Sequence, residues 1–322
     1  MKNNFDKTFN AVKINFLGKN NFKSRNIYLR DGRSAILWED QITGHGILDE
    51  QYWEDNSFYE EQYRKEFTSQ LGQTVKNKKN LDISKQLNLK QFNCFSKKLN
   101  LQTKYIEIGC SFGGVLNNVV KHGVGEAWAV EPNKEDAIFA QNNNKNAKVI
   151  NSLFNDSLDL PRNYFDMLVS IEVLEHVSQP ELFLEKCYLH LKKGARIYLE
   201  VPNHHDVLYS TYDVEKYKSF YYHKAHIHYF TDKSLNLFCS KAGFKGDVSS
   251  FLMYPFFNHV FWAQNNMPQK SGLTALSTLQ PAINSTGGKK INKFYKNVEK
   301  EYETLINELM LGDCLVYQGV KK

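Results

Sequence analysis

The sequence has no CxxC pair. Cys94, Cys110, Cys187, Cys239 and Cys314 are scattered and odd in number, which excludes a disulfide framework and a structural zinc module and fits a reducing compartment. The first residues, MKNNFDKTFNAVKINF, lack the apolar core of a signal peptide. The longest apolar stretch, residues 251–263, is broken by Pro255, Asn258 and His259, whereas a membrane span needs about 20 apolar residues. A cytoplasmic chain with no membrane span is therefore expected. There is no internal repeat and no low-complexity tract. Charge of one sign is also scarce: 41 Lys and Arg against 35 Asp and Glu leave +6. This mild excess permits acidic or phosphate-bearing ligands, but it has no focus of the kind nucleic-acid binding needs.

What is present is ordinary globular usage, 42% hydrophobic and 24% charged over 322 residues, enough for a sizeable core in one large domain or two modest ones. The first 80 residues read as a cap. Residues 26–40 form two β-rich runs around Asp31-Gly32, a hairpin signal. Tyr59, Tyr63 and Phe67 recur every fourth residue and predict one face of a helix, which packs on a neighbour or covers a binding site. Residues 72–80, rich in Lys and Asn, read as a linker.

Residues 81–322 alternate helix and strand, which predicts an α/β fold with a doubly wound, mainly parallel sheet. Strands are expected at 104–110, 126–132 and 195–203. A helix opens at Pro180 and is closed by Gly194, and Thr231 caps another. The apolar run 248–257 reads as a strand. An insertion at about 264–311, ending in a helix from 291 to 311, precedes a last strand at 313–321.

The informative segment is YIEIGCSFGGVL, residues 105–116, where a strand runs through a glycine turn into a helix. Three readings compete. A dinucleotide fingerprint would place Gly109 first and Gly114 third, but Ser111 stands where the middle glycine should be. A nucleophile elbow matches Gly109-Cys110-Ser111-Phe112-Gly113 literally, without the upstream strands and oxyanion loop of a serine hydrolase. An adenosyl loop needs no pyrophosphate cradle, so Ser111 is no obstacle. Glu131 then falls about 20 residues on, where an acid reaches a ribose diol.

At this point the chain resembles the class I S-adenosylmethionine-dependent methyltransferases, in the branch of quinone O-methyltransferases and surface-glycan methyltransferases. The resemblance rests on EIGCSFG (107–113), VEPN (130–133), YFDMLVSIEVLEHV (164–177), LKKGARIYLEVPN (191–203) and HIHYFTDKSLNLFCSKAGF (226–244), in the family's order. It implies a seven-stranded methyltransferase sheet and S-adenosylmethionine as cofactor. It also implies that Glu107, Gly109 and Gly113 hold the methionyl part, that Glu131 binds the ribose, and that Cys110, Pro132 and Glu172 belong to the same site. Ser152 falls where many members place an acid near the adenine, and Asp156 is the nearest acid. The implied acceptor is a small molecule, a sugar, nucleotide-sugar or glycan hydroxyl. The alternatives are an RNA or protein methyltransferase and a hydrolase using Ser111.

A hydroxyl acceptor benefits from a base, usually histidine. His226 and His176 are the candidate catalytic residues, with His204, His205 and His228 as further histidines in the region. His204 and His205 read as solvent-exposed loop residues. If the segment after the fourth strand of the methyltransferase sheet turns helical, Glu172, Glu175 and His176 share a face and could hold a divalent ion. The same wording occurs in members without metal, and no metal is assigned here. Tyr221-Tyr222 and the Phe256-Phe257/Phe261-Trp262 cluster read as core or as walls of an acceptor pocket.

Overall fold

A computed structural model of the chain describes all residues except 1, 56, 63–77 and 277–284. Helix α1 (Lys2–Val12) leads into the hairpin β1 (Phe22–Tyr28) and β2 (Ser34–Asp40). The turn forms where Asp31-Gly32 predicts it: Gly32 has φ +86°, and its amide donates to the Leu29 carbonyl at 2.8 Å. Strand β3 (Gly46–Leu48) pairs antiparallel with β2. Tyr59 lies in a short helical turn, Phe58–Gln62; Tyr63 and Phe67 lie outside the described residues. So do residues 72–77 of the expected linker, whereas Lys78 to Asn80 open α2 (Lys78–Phe95).

Strand β4 (Lys104–Ile108), α3 (Gly114–His122), β5 (Glu126–Glu131), α4 (Lys134–Asn143), β6 (Ala147–Asn151) and β7 (Phe165–Ile171) follow in alternation. Next come α5 (Pro180–His190), β8 (Leu191–Pro202), α6 (Val207–Ser210) and α7 (Glu215–Tyr221). The two-residue strand β9 (His228–Tyr229), α8 (Asp232–Lys241) and β10 (Phe244–Phe251) precede α9 (Phe256–Asn265) and α10 (Gly272–Ala275). The chain closes with α11 (Thr286–Glu308) and β11 (Cys314–Lys321).

Seven strands form one sheet in the order β10-β11-β8-β7-β4-β5-β6. The five from β4 to β8 run parallel, and β11 is antiparallel to both neighbours. Side chains on one strand alternate between faces, and the two faces carry separate apolar clusters. Ile106 and Ile108 pack with Leu184 of α5 and Phe238 of α8, whereas Tyr105 packs with Phe95 of α2 and Leu116 of α3. The chain leaves β4 toward β5 on one side and pairs with β7 on the other. The crevice beyond the carboxyl ends of β4 and β7 is therefore the switch point where such sheets bind ligands.

The N-terminal strands belong to a second sheet, β1-β2-β3-β9, whose last member comes from residues 228–229. Phe5, Val12 and Trp38 share one apolar cluster with Ile106 and Leu168 of the large sheet. Among the described residues no helix is long and apolar enough to cross a membrane.

Three expected boundaries move. Helix α5 ends at His190, and Gly194, at φ +78°, lies within β8, where the register against β7 shifts. The run 248–257 stops as a strand at Phe251; Pro255 then precedes α9, a position that suits a residue without an N–H. Helix α11 starts at Thr286 rather than residue 291, because the Ser285 side chain accepts the Gly288 amide and caps it there.

Candidate functional site

The five residues after β4 turn the chain into α3. Gly109 and Gly113 have φ +78° and +74°. A Cβ at Gly109 would lie 2.3 Å from Val173 Cγ2, and one at Gly113 would lie 2.6 Å from Asn144 Nδ2. Both positions thus demand glycine by backbone and by space. Ser111 between them sits at φ +50°, and its amide donates to Glu131 Oε2 at 2.8 Å. Glu131 Oε1 accepts the Asn133 amide at 2.9 Å, so the acid that ends β5 fastens the loop. Asn133 in turn caps α4 by accepting the Asp136 amide.

A cavity of about 1030 Å³ opens over this loop. Glu107, Gly109, Cys110, Gly113 and Glu172 line it, and His226 lines it from the far side. Glu131, Pro132 and Ser152 stand at the ends of β5 and β6, outside its lining. The Ser152 hydroxyl is turned to the Leu153 carbonyl, 2.9 Å away. Asp156 is exposed, 3.7 Å from Lys186 Nζ.

Of the acids of this crevice Glu107 is buried and Glu172 half-buried. Burial, reinforced by the Glu131 charge, pushes the Glu107 carboxyl up to about 8, even though the Tyr105 hydroxyl donates to it at 3.0 Å. Burial, together with Glu175 and Glu200, holds Glu172 well above the carboxylate range. Glu172 has φ +54°, and the Cys314 thiol donates to its Oε1 at 3.5 Å. The segment after β7 is only a short 3₁₀ turn, Leu174–His176. Glu172, Glu175 and His176 therefore do not share a helical face: Glu172 meets Cys314, and Glu175 meets two histidines.

Glu175 is fully buried, and neither of its carboxylate oxygens has a hydrogen-bond partner among the described residues. Its Oε1 lies 3.6 Å from His176 Nε2 and 3.8 Å from His226 Nε2. His176 Nδ1 lies 2.6 Å from the Ala225 carbonyl, an oxygen that also accepts the Tyr59 hydroxyl at 2.8 Å. That carbonyl can only accept, so Nδ1 carries a proton, and Nε2 faces Glu175 and His226. One ligand atom from each of Glu175, His176 and His226 falls within 4.8 Å of the others, a spacing that could hold a divalent cation.

His226 contacts His176 edge to face, with ring centroids 4.8 Å apart. Burial, with His223, His176 and Arg30 nearby, pushes its pKa well below 6.5. His228 instead packs in the core, its Nδ1 3.1 Å from His45 Nε2. His204 is not an exposed loop residue: it is buried, with Nε2 3.0 Å from the Tyr222 hydroxyl.

Tyr221 and Trp262 line the cavity, whereas Tyr222, Phe256, Phe257 and Phe261 do not. Sequence reasoning missed Arg30, Tyr217, Phe220, His223 and Tyr254, which also line it. His223 had a signal, since it stands three residues before His226 in YYHKAHIHY. Arg30 had none, because the N-terminal sheet brings it in from far along the chain.

Comparison with known proteins agrees with this geometry. A family model described as a methyltransferase domain matches residues 72–248, more than half of the chain. The mitochondrial ubiquinone biosynthesis O-methyltransferase of Mus musculus is 26% identical over 114 residues, 33% of this chain and 30% of that protein. Its Rattus norvegicus counterpart is 26% identical over 107 residues, 31% of each. The matched part thus spans about a third of these relatives' length. Among solved structures, the complex of the Haloferax volcanii Trm112 methyltransferase activator with a methyltransferase contains a chain of similar fold. Its TM-score is 0.50 at 15% identity, over 80% of this chain and 96% of that one. The strand order, the glycine loop and the family match converge: the chain belongs to the methyltransferase-domain family and is a class I S-adenosylmethionine-dependent methyltransferase.

Proposed function

We propose that the enzyme methylates a hydroxyl of a small sugar-type acceptor, a sugar, nucleotide-sugar or glycan unit, in the cytoplasm. The observation that carries this reading is the single cavity joining the glycine loop and Glu107 to His226. Its size suits a cofactor and a small partner, and the ubiquinone O-methyltransferases among its relatives lend weight to an oxygen acceptor. An RNA or protein substrate would call for a basic, aromatic groove, and the +6 charge has no such focus. Family membership argues against hydrolysis through Ser111.

When bound, S-adenosylmethionine supplies a methyl group on a cationic sulfur, a carbon already activated for displacement. The protein must mainly align the acceptor and exclude water. On this reading Gly109 and Gly113 let the methionyl part lie against backbone, with Cys110 and Glu172 beside it. The Glu107 carboxylate would hold the cofactor's ammonium. Glu131, which accepts the Ser111 and Asn133 amides, would also accept the ribose hydroxyls. Pro132 and Ser152 flank the adenine end. The neutral His226 imidazole orients the acceptor hydroxyl and takes its proton as the C–O bond forms and the C–S bond breaks, and His176 positions His226. Residues 1–80 act as the cap and 81–322 as the catalytic domain, with residues 264–311 inserted before the last strand.

The test is titration of the protein with S-adenosylhomocysteine, followed by transfer of labelled methyl to a panel of sugars and nucleotide sugars. Binding without transfer to any hydroxyl compound in the panel would remove the acceptor assignment. The unpartnered Glu175 carboxylate favours a second reading, in which Glu175, His176 and His226 hold a divalent cation that acidifies the acceptor hydroxyl. Stoichiometric metal in the purified protein, with chelator-sensitive activity restored by Mg²⁺ or Mn²⁺, would establish it. Full activity of metal-free protein in chelator would exclude it.

A further inference from the structure

We infer that the acceptor carries an anionic group, a phosphate or a carboxylate, and that Arg30 is the side chain that reads it. This rests on the reading above, that the cavity takes an acceptor beside the cofactor. Arg30 follows β1 in the N-terminal hairpin, yet it lines the cavity beside Phe220 and His223. Three contacts fix it there. Its amide donates to the Tyr222 carbonyl at 2.7 Å, its Nε donates to the Phe220 carbonyl at 2.7 Å, and its guanidinium carbon stands 3.9 Å from the Phe220 ring centroid.

A guanidinium seated on an aromatic face and held through Nε keeps its planar fork in one orientation. That is the arrangement suited to bidentate recognition of phosphate or carboxylate. The wall around it is aromatic: Trp262 lies 5.1 Å from Tyr217 and 5.1 Å from Phe220 by ring centroids. Such rings offer flat apolar faces to a sugar or base, while the arginine supplies charge.

Two histidines that line the cavity stand next to Arg30. His223 and His226, 3.7 Å apart by centroids, are buried beside it. Asp313, which also lines the cavity, is paired with His259 at 2.9 Å. Lys85, Lys121 and Lys270 line the cavity too, and what sets Arg30 apart from them is its fork, seated on the Phe220 ring and held through Nε.

The experiment uses the full chain saturated with S-adenosylhomocysteine. Inorganic pyrophosphate, glucuronate and uncharged glucose are titrated into the wild type, Arg30→Gln and Arg30→Lys at constant ionic strength. At least one anion is expected to bind tenfold or more tightly than glucose. Arg30→Gln should weaken that anion tenfold or more, and Arg30→Lys should weaken it less. Affinity for S-adenosylhomocysteine should stay within twofold in both variants, which also verifies folding. Which anion binds separates phosphate from carboxylate. Equal anion binding by Arg30→Gln, or no preference for an anion over glucose, overturns the proposal. A tenfold loss of S-adenosylhomocysteine affinity in Arg30→Gln overturns it too, since Arg30 would then serve the methionyl carboxylate. Absence of any sugar methylation by the wild type, with anion binding that Arg30→Gln weakens, would instead sink the acceptor reading and leave the Arg30 site standing.

Discussion

Glu107 illustrates how one residue couples the site to pH. With its carboxyl pushed up to about 8 by burial and by Glu131, it is largely protonated at neutrality in the free protein. A ligand ammonium placed against it favours the ionised form, so binding must release a proton below that pH. The affinity for S-adenosylhomocysteine should therefore tighten as pH rises from 6 to 8, by up to about tenfold per unit. Calorimetry in two buffers of different ionisation enthalpy should detect the released proton. Glu107→Gln should bind more weakly with a flat profile, and a sloped profile in this variant would assign the proton elsewhere. Glu131→Ala should weaken the same ligand about tenfold or more, roughly 1.4 kcal/mol. Gly113→Ala forces a side chain into φ +74° and against Asn144; it should destabilise the fold by about 1–3 kcal/mol, measurable by urea denaturation. These loop positions were legible because strand, glycine turn and helix are adjacent in sequence. The left-handed backbone of Glu172 was not, nor was its side chain's partner Cys314, 142 residues away.

At the scale of elements, helix α8 shows what a cap contributes. Thr231 accepts the Ser234 amide while the Ser234 hydroxyl accepts the Thr231 amide. The Thr231 hydroxyl also donates to the Thr43 carbonyl at 2.6 Å, tying the helix to the N-terminal sheet. Thr231→Ala should cost about 1–2 kcal/mol, the upper part of the range for caps. Thr231→Ser keeps the oxygen and should recover most of it in the same denaturation experiment. A loss below about 0.5 kcal/mol would mean that neither bond matters. This cap was readable from the sequence, as were the Asn133 cap and the Asp31-Gly32 turn, because each is settled within four residues. The start of β8 and the end of β10 were not. Gly194 looks like a helix stop but serves a register shift against β7, which only the paired strand can reveal. Strand β9 is two residues long and carries no local pattern, yet it completes the N-terminal sheet.

The whole molecule stores opposing sets of buried ionisable groups, and their balance predicts how stability depends on pH. Burial raises Glu107 to about 8 and Glu200 to about 7 from 4.5, and raises Asp206 to about 7 from 3.8. A group raised on folding contributes stability that is full below its unfolded value and lost as pH climbs through the folded one. The histidines His204 and His45 run the other way. Burial lowers His204 from 6.5 to about 3 and holds His45 well below 6.5. Their contribution is full above 6.5 and lost as pH falls toward the folded value. Between about pH 5 and 6.5 the two sets oppose each other. Above that window the raised acids, and His259 held up by Asp313, lose their contribution, and stability must fall. Below it the histidines dominate, and stability falls again. The melting temperature of the ligand-free protein should therefore peak near about pH 6 and decline by pH 8.5. Saturating S-adenosylhomocysteine should flatten the alkaline limb, because the ligand's ammonium stabilises ionised Glu107 on folding. In Glu107→Gln the limb should already be shallower without ligand, and the ligand should no longer change its slope. A melting temperature rising steadily from pH 6.5 to 8.5 in the ligand-free wild type would refute the raised acids. A parallel shift of the whole curve by the ligand would place the ammonium away from Glu107.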